Sequence, residues 1–308
     1  MTPKKETAKE YDVIIIGSGP AGLSAAIYAS RYNLKTLVLG TTFESMINEA
    51  HLVENWPGEK SISGHALLNK FLEHAKHYGA EILEKQVSRV IKTKDGFEVL
   101  VENEKFKTKS IILTLGTKKR KLEVDGEEKF IGKGVSYCYT CDANFFKGKD
   151  VAVIGGSNSA ALAALLLSEL CKKVYIIYRQ DIMRCEPVFL DKLKKKKNVE
   201  IIYKTNPKEI KGKDKVEELI LDNNKKLKVD GIFVEIGGAP SSVLIKELGI
   251  KTDDSGFILT DERMATNVSG IFAAGDVRKN VLKQAITSSA EGVIAATSVY
   301  KYFNELKK

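Results

Sequence analysis

The sequence contains one structural pattern twice. Residues 11–31 (YDVIIIGSGPAGLSAAIYASR) and 150–169 (DVAVIGGSNSAALAALLLSE) each run from an aspartate through four apolar residues to glycine, and then through a Gly/Ser turn into an Ala-rich segment. A short buried strand that turns directly into a helix is the start of a βαβ unit of a dinucleotide-binding fold. Because the pattern occurs twice, we predict an α/β protein with two Rossmann-like domains.

Length and polarity agree with this prediction. A chain of 308 residues is long enough for two domains of ordinary size. Residues 13–30 and 151–168 carry no charge, but glycine with serine or proline in the middle of each favours a buried strand and helix over a membrane span. The polar stretch MTPKKETAKE before Tyr11 lacks an apolar run, so we expect a short disordered tail and a cytoplasmic protein without membrane attachment.

The charge pattern does not indicate nucleic acid. The net charge is +9, and residues 192–197 read KLKKKK. Since neither an aromatic platform nor a known nucleic-acid motif accompanies the lysines, we interpret the run as a solvated helix face. A basic surface could instead attract an acidic protein.

The first glycine turn carries the complete fingerprint G-x-G-x-x-G, formed by Gly17, Gly19 and Gly22. The first glycine permits a tight turn, the second lets the backbone approach a pyrophosphate, and the third lets helix and strand pack closely. The helix N-terminus that follows attracts negative phosphate. We therefore predict a dinucleotide site at this turn.

A second feature of this site lies near the C-terminus, where residues 270–277 read GIFAAGDV. The segment predicts a short apolar strand that ends at Gly275 and Asp276. Taken alone, Gly-Asp favours an ordinary turn. Together with the first fingerprint, the Asp276 carboxylate is suited to accept hydrogen bonds from the ribityl hydroxyls of a flavin.

Cys138 and Cys141 form a C-x-x-C just before the second glycine turn. On the first turn of a helix, two sulfurs at this spacing can close a disulfide, and the helix N-terminus lowers the thiolate pKa. A zinc half-site is the alternative, but Cys171 and Cys185 do not form a second close pair and the four histidines lie far off in sequence, so we expect no metal. We interpret Cys171 and Cys185 as buried small residues. Asp142 follows the pair and either protonates a leaving thiolate or stabilises the helix N-terminus.

The order of these motifs resembles that of the low-molecular-weight thioredoxin reductases, which are class II pyridine nucleotide-disulfide oxidoreductases. The resemblance extends over nearly the whole chain and includes further segments: VENWPG at 53–58, TLGT at 114–117, CDANFF at 141–146 and KQA at 283–285.

The resemblance implies two three-layer ββα Rossmann-like domains, the second inserted in the first. Residues 1–119 and 248–308 would form a discontinuous FAD domain, and residues 120–247 a nicotinamide-nucleotide domain that carries the cysteines. FAD would be held by Gly17, Gly19, Gly22, Asn55, Gly275, Asp276, Lys283, Gln284 and Ala285.

The implied activity is reduction of an external disulfide. Electrons would pass from a donor, NADPH by the family pattern, through FAD to the Cys138–Cys141 disulfide, with the pair and the nicotinamide taking turns at one flavin by rotation of the inserted domain. Cys141 would face the flavin, Cys138 would attack the substrate, and Asp142 would supply a proton. The implied partner is a thioredoxin- or glutaredoxin-like protein, and the implied assembly is a homodimer.

Two regions depart from the family pattern. Residues 44–47 read ESMI where the family has Gly-Gly-Gln-Leu, so Met46 replaces an amide near the flavin. In the second glycine turn (GGSNSA), Ser157 replaces a glycine, and Leu162 and Ala163 replace an acidic pair.

NADPH would contact Gly155, Ser157, Ala160, Arg179 and Arg184. The family's His-Arg-Arg with a further arginine, which grips the 2′-phosphate, reads here as Tyr178, Arg179, Gln180 and Arg184. No acid stands at the end of the strand at 174–178, where NAD-specific folds place one for the ribose. We therefore expect NADPH to bind, but more weakly than is usual in the family.

Two alternatives stay open. The weakened second turn is compatible with a reductase of the same fold fed by NADH, reduced ferredoxin or a deazaflavin. A non-catalytic flavin redox sensor is a further alternative, distinguished by whether an added disulfide is turned over.

We predict that the purified protein is yellow, with about one FAD per chain, because the first fingerprint is complete and is joined by the Asp276 strand end. Replacing Gly19 with valine should reduce FAD retention, since the side chain would occupy space needed by the pyrophosphate. The ratio of flavin to protein absorbance after gel filtration measures both effects. Protein that binds no flavin under any expression condition would contradict the prediction.

Overall fold

The computed structural model describes residues 8–42, 45–50, 52–240 and 243–306. The chain divides into two compact units, one made of the residues up to Lys118 and from Ala239 onward, the other of Lys119–Gly238. The sequence prediction placed the second boundary at 247/248. The structure places it earlier because Ile245, which is 1% exposed, packs in the core of the first unit with Val90 and Ile258.

The first unit is a mainly parallel sheet flanked by helices. Its sheet has the order β3-β2-β1-β6-β5-β4, with β17 also pairing with β6. The strands are β1 (Lys9–Ile16), β2 (Thr36–Leu39), β3 (Glu81–Leu83), β4 (Arg89–Thr93), β5 (Gly96–Val101), β6 (Glu104–Leu113) and β17 (Ile271–Ala273). The helices are α1 (Pro20–Arg31), α2 (Gly64–His77), α7 (Val243–Glu247) and α8 (Ala285–Glu305), with a 3₁₀ turn at Met46–Glu49.

Strand β1 begins earlier than the sequence suggested. Lys9 and Glu10 pair with Phe106 and Lys107 of β6 in parallel register. The expectation that these two residues belong to a disordered tail is therefore wrong. Their side chains are exposed, and the backbone ladder rather than apolar burial holds them in the sheet. Residues 1–7 of the expected tail lie outside the described residues.

Helices α1 and α8 pack closely on the same side of the sheet core. A Cβ atom on Gly292 would lie 2.1 Å from the carbonyl oxygen of Ala21, so only glycine allows this approach. The same helix pair contributes Leu23, Ala26 and Val299 to a fully buried apolar cluster. The N-terminus of α1 is thereby fixed relative to α8.

The second unit repeats the strand–turn–helix design. Its parallel sheet has the order β11-β10-β9-β15-β8, and β12-β13-β14 form an antiparallel sheet beside it. The strands are β8 (Val135–Ser136), β9 (Asp150–Ile154), β10 (Lys173–Tyr178), β11 (Val199–Tyr203), β12 (Pro207–Lys211), β13 (Glu218–Leu221), β14 (Lys226–Lys228) and β15 (Gly231–Val234). The helices are α3 (Glu127–Phe130), α4 (Tyr139–Asp142), α5 (Asn158–Leu170) and α6 (Pro187–Lys194), with a 3₁₀ turn at Ala143–Phe146. The short strands β7 (Lys118–Lys119) and β16 (Gly238–Ala239) pair with each other.

The lysine run at 192–197 is only partly helical. Helix α6 ends at Lys194, so Lys195, Lys196 and Lys197 lie in the turn that follows, and the predicted helix face is limited to the first half of the run. Both charge-free segments fold as a buried strand and helix, as predicted. Among the described residues, no helix is long and apolar enough to cross a membrane.

Candidate functional site

The first fingerprint turn is held by contacts of backbone atoms. Gly17 has a φ of +117°, and a Cβ at this position would lie 2.2 Å from the carbonyl oxygen of Thr114. A Cβ on Gly22 would lie 1.9 Å from the carbonyl oxygen of Gly17. The Thr114 hydroxyl, at the end of β6, donates to the carbonyl oxygens of Ile16 and Gly17 at 3.1 and 2.9 Å. These contacts fix the turn between β1 and α1 against the end of β6.

Gly19 differs from the other two glycines, because the protein leaves space around it. Among the described residues, a Cβ there would meet only the Ser45 hydroxyl within 4 Å, at 3.1 Å. Gly19 is the N-cap of α1 and supplies no side-chain acceptor to the first helical N–H groups. The buried Ser18 hydroxyl also lacks a hydrogen-bond partner among the described residues. Open space, uncapped N–H donors and an unpartnered hydroxyl fit the pyrophosphate of a bound dinucleotide.

The Gly275–Asp276 turn lies beside this site, at the end of β17. A Cβ on Gly275 would lie 2.9 Å from the Cβ of Ala21, which is in the first turn of α1. Ser288 of α8 donates to the Asp276 carboxylate at 3.1 Å. Lys283 donates to the Asp276 carbonyl oxygen at 2.6 Å. Desolvation raises the pKa of the Asp276 carboxyl above its ordinary value, and the nearby Lys283 ammonium and Ser288 hydroxyl oppose this shift.

Further residues of the expected FAD set lie together at the N-terminus of α8. The Asn55 side-chain amide donates to the Gln284 side-chain oxygen at 3.1 Å, although the two residues are far apart in sequence. Gln284 caps α8, and Ala285 is its first residue. Met46 is exposed and accepts a hydrogen bond at its sulfur from the Thr117 hydroxyl at 3.3 Å. Glu44 lies outside the described residues.

Sequence reasoning missed a buried ion pair behind this turn. Glu291 of α8 accepts the Gly275 N–H at 2.7 Å with one carboxylate oxygen and contacts the Arg278 guanidinium at 2.5 Å with the other. The two side chains are 12% and 14% exposed. Arg278 also donates to the Thr260 hydroxyl at 2.9 Å. The available signal was a single acid inside an otherwise uncharged helix segment, AITSSAEGVIAA.

The second glycine turn is built in the same way, with one difference. A Cβ on Gly155 would lie 2.1 Å from the carbonyl oxygen of Glu235, and Ala160 is fully buried beneath the turn. Ser157 takes the N-cap position of α5 but makes no capping bond. Its hydroxyl lies 3.0 Å from the hydroxyl of Ser159. Two hydroxyls therefore stand at this helix N-terminus, and that of Ser157 replaces the glycine of the family pattern.

The two expected phosphate-binding arginines lie after β10. Arg179 and Arg184 are exposed, and neither forms a hydrogen bond or ion pair through its side chain with a described residue. The Arg184 backbone N–H donates to the Gly156 carbonyl oxygen at 2.7 Å, which ties the arginine segment to the glycine turn. Gln180 accepts a hydrogen bond from the buried Tyr178 hydroxyl at 3.0 Å.

The cysteine pair forms a disulfide, as the spacing predicts, with the Cα atoms 5.3 Å apart. Cys138 is the N-cap of the short helix α4 and is half-buried, whereas Cys141 is exposed. The Cys138 sulfur accepts the Cys141 N–H at 3.3 Å and lies 3.3 Å from the Thr140 hydroxyl. The two sulfurs therefore have different surroundings.

Asp142 and the other two cysteines of the second unit differ in burial and in their contacts. Asp142 is half-buried, and its backbone N–H donates to the Cys138 carbonyl oxygen at 3.1 Å. Cys171 and Cys185 are free and buried, as predicted. Burial raises the pKa of the Cys171 thiol to about 11 and also raises that of Cys185. These two thiols are therefore poor nucleophiles at neutral pH.

The segment before the cysteines is fixed by a buried carboxylate. Glu127, which is 2% exposed, accepts the backbone N–H groups of Leu122 and Glu123, each at 2.7 Å, and the Tyr137 hydroxyl. The Tyr137 carbonyl oxygen accepts a hydrogen bond from Lys119. These bonds fix the residue directly before Cys138.

Comparison with known proteins identifies close relatives. Residues 11–292 match the family described as pyridine nucleotide-disulphide oxidoreductase. The chain is 40% identical to the thioredoxin reductase of Bacillus subtilis, over 97% of each chain. It is 37% identical to the crystal structure of Lactococcus lactis thioredoxin reductase, with a TM-score of 0.92, covering 96% of this chain and 99% of that one. A ferredoxin-flavin thioredoxin reductase from Clostridium acetobutylicum is 33% identical, with a TM-score of 0.54, covering 98% of this chain and 100% of that one. These likenesses confirm the predicted fold class and the resemblance on which it depended.

We expect Glu291→Gln to lower both the free energy of unfolding and FAD affinity. The change leaves the Arg278 guanidinium buried without a counter-charge, which costs about 3 kcal/mol. Glutamine can still accept the Gly275 N–H, but the ionic contact with Arg278 that also holds the turn is lost. Urea unfolding of the flavin-free protein and titration of that protein with FAD measure the two effects.

Glu305→Gln is the matched control, since it removes an exposed charge from the same helix. It should leave both quantities unchanged. Equal FAD affinity in the Glu291→Gln variant and the parent would show that the ion pair does not position the Gly275–Asp276 turn.

Proposed function

Because this chain belongs to the pyridine nucleotide-disulphide oxidoreductase family and, within it, to the thioredoxin reductases, we propose that NADPH is its electron donor and a thioredoxin-like protein its electron acceptor. The chain is an oxidoreductase that acts on a sulfur group, and its cofactor is FAD. The unpaired arginines after β10 are the observation that carries the choice of donor.

The first unit supplies the flavin site. Gly17, Gly19 and Gly22 would hold the pyrophosphate against the N-terminus of α1, and Asp276 would accept hydrogen bonds from ribityl hydroxyls. Asn55, Lys283, Gln284 and Ala285 complete the proposed site at the start of α8. A bound flavin accepts a hydride and releases two electrons, which is the chemistry needed to open a disulfide.

The second unit supplies the thiol chemistry. In the reduced pair, the Cys138 thiolate attacks the substrate disulfide, so that a Cys138–substrate S–S bond forms and the substrate S–S bond breaks. The departing substrate thiolate takes up a proton and leaves as a thiol. The Cys141 thiolate then attacks Cys138, which releases the second substrate thiol and restores the Cys138–Cys141 disulfide. The half-buried Asp142 is the proposed proton source, because it directly follows the pair.

NADPH is favoured over NADH by the charge at the end of β10. Arg179 and Arg184 are exposed, close in sequence and unpaired among the described residues. The strand end itself carries no acid to bind a ribose 2′-hydroxyl. A 2′-phosphate would give each guanidinium a counter-charge. Gly155, Ser157 and Ala160 form the proposed pyrophosphate turn. The Ser157 hydroxyl, which stands where the family has glycine, and the neighbouring Ser159 hydroxyl would donate hydrogen bonds to phosphate oxygens.

A different donor is the second candidate. Ser157 places a side chain in the turn that a pyrophosphate must approach, and Gln180 removes one of the family's positive charges. The Clostridium acetobutylicum relative is named for ferredoxin. A positively charged surface on this chain would suit such an acidic protein. Reduced ferredoxin is therefore the donor to test if nucleotides fail.

The cellular location, the assembly and the acceptor protein are also part of the proposal. We place the protein in the cytoplasm, where a reducing environment would keep Cys171 and Cys185 as free thiols. A homodimer is the proposed assembly, by resemblance to the family. The acceptor would be a thioredoxin- or glutaredoxin-like protein, since its disulfide must reach an exposed C-x-x-C.

We expect Cys138→Ser and Cys141→Ser both to abolish turnover of 5,5′-dithiobis(2-nitrobenzoate) and of a thioredoxin disulfide, because each removes one sulfur of the exchange. Only Cys141→Ser should accumulate a mixed disulfide with thioredoxin, since Cys138 still attacks and nothing resolves the product. Non-reducing electrophoresis and mass spectrometry detect this species.

The matched control is Cys171→Ala, which removes a cysteine that is buried and distant in sequence from the pair. It should retain turnover. A mixed disulfide formed by Cys138→Ser but not by Cys141→Ser would reverse the assignment of the two sulfurs, and turnover in either serine variant would refute it.

We expect NADPH to reduce the flavin in an anaerobic titration, and to bind more tightly than NADH. Replacing Arg179 or Arg184 with methionine should raise the Kd for NADPH by about tenfold each, because each removes one charge-assisted bond to the 2′-phosphate. The Kd for NADH should stay the same. Bleaching of the flavin absorbance and nucleotide-induced changes in protein fluorescence give the two readouts.

Arg263→Met, which removes an exposed arginine from the first unit, is the control and should leave both nucleotides unaffected. No bleaching by either nucleotide, combined with bleaching by reduced ferredoxin, would rule out NADPH in favour of the second candidate.

A further inference from the structure

The two redox sulfurs differ in the hydrogen bonds that they accept. The Cys138 sulfur accepts the backbone N–H of Cys141 and lies within hydrogen-bond distance of the Thr140 hydroxyl, both at 3.3 Å. Since a disulfide sulfur carries no proton, Thr140 is the donor in this contact. Among the described residues, the Cys141 sulfur has no hydrogen-bond donor.

We propose that the Thr140 hydroxyl stabilises the Cys138 thiolate of the reduced enzyme and thereby selects Cys138 as the sulfur that attacks the substrate. The proposal deepens the proposed function, because it rests on thiol–disulfide exchange at this pair. Thr140 keeps its proton throughout. It donates a hydrogen bond to the Cys138 thiolate before attack, and the bond weakens as the negative charge moves to the departing substrate sulfur.

Other means of stabilising this thiolate are limited. Helix α4 has four residues, so few aligned peptide dipoles point at Cys138. The Cys141 N–H is one donor, and Thr140 supplies the second. A hydrogen bond to an ionised group is stronger than one to a neutral group, so the hydroxyl favours the thiolate over the thiol.

The local backbone holds the hydroxyl in place. The Ser136 hydroxyl accepts the Cys138 N–H at 3.0 Å and donates to the Cys138 carbonyl oxygen at 3.2 Å. These two hydrogen bonds fix the backbone of Cys138 in the extended N-cap conformation. Threonine is β-branched, so its χ1 angle is restricted and little entropy is lost when its hydroxyl faces the sulfur.

The test measures the Cys138 pKa directly. Cys141→Ser leaves Cys138 as the one thiol of the pair, and the rate of its alkylation by iodoacetamide is followed against pH by peptide mass spectrometry. Adding Thr140→Val should raise the Cys138 pKa by about one unit, as expected for loss of a hydrogen bond to an anion. Adding Thr140→Ser should leave it near the parent value, because the hydroxyl remains.

A second measurement separates this role from a packing role. Attack of Cys138 on 5,5′-dithiobis(2-nitrobenzoate) depends on the thiolate fraction and on intrinsic nucleophilicity, which increases with pKa. The Thr140→Val variant should therefore react about threefold more slowly at pH well below both pKa values, and about threefold faster well above them. Distortion of the site would lower the rate at every pH, so a crossing of the two profiles supports the proposal.

The controls use features of the same chain. Cys171, with its raised pKa, is an internal reference in each alkylation profile and should not change. Thr297→Val removes a hydroxyl from α8, in the other unit, and should leave the Cys138 pKa unchanged. An unchanged Cys138 pKa in Thr140→Val, or an equal rise in Thr140→Ser, overturns the proposal. Alkylation requires neither an electron donor nor thioredoxin, so its outcome is independent of whether NADPH reduces the enzyme.

Discussion

The close approach of backbone atoms at the first glycine turn is the constraint on which the proposed flavin site depends. Strand β6 ends against Gly17, Gly22 in the first turn of α1 lies against the Gly17 carbonyl, and Gly292 of α8 lies against Ala21. Thr114 adds hydrogen bonds to two carbonyl oxygens of the turn. Three segments from distant parts of the chain thus meet within van der Waals contact, which leaves the N-terminus of α1 open for a phosphate group.

Buried charges hold the polar parts of both units in place. In the first unit, Glu291 and Arg278 tie the Gly275–Asp276 turn to α8 and Thr260. In the second, Glu127 gathers two backbone N–H groups and the Tyr137 hydroxyl just before Cys138. Burying a charged side chain costs free energy unless it is paired and hydrogen-bonded. Here the buried charges hold the two segments that carry the proposed flavin contacts and the redox cysteines.

Asymmetry between the two cysteines arises from local bonds of the C-x-x-C segment. Exposure alone would favour Cys141 as the sulfur that meets a substrate, since Cys138 is only half-exposed. Hydrogen bonding favours Cys138 as the more stable thiolate, because the Cys141 N–H and the Thr140 hydroxyl both face its sulfur. Stability of the thiolate decides which sulfur is ionised near neutral pH.

Sequence reasoning was sufficient to predict the two dinucleotide folds, the redox pair and the buried state of Cys171 and Cys185, because these follow from local patterns of apolar residues, glycine and cysteine spacing. It missed the Glu291–Arg278 pair, the Asn55–Gln284 contact and the place of Ile245 in the first core, which join residues distant in sequence. It also misjudged Lys9 and Glu10, whose polar side chains conceal a backbone ladder with β6. Only the tertiary structure decides such contacts, since burial and pairing depend on which segments the fold brings together.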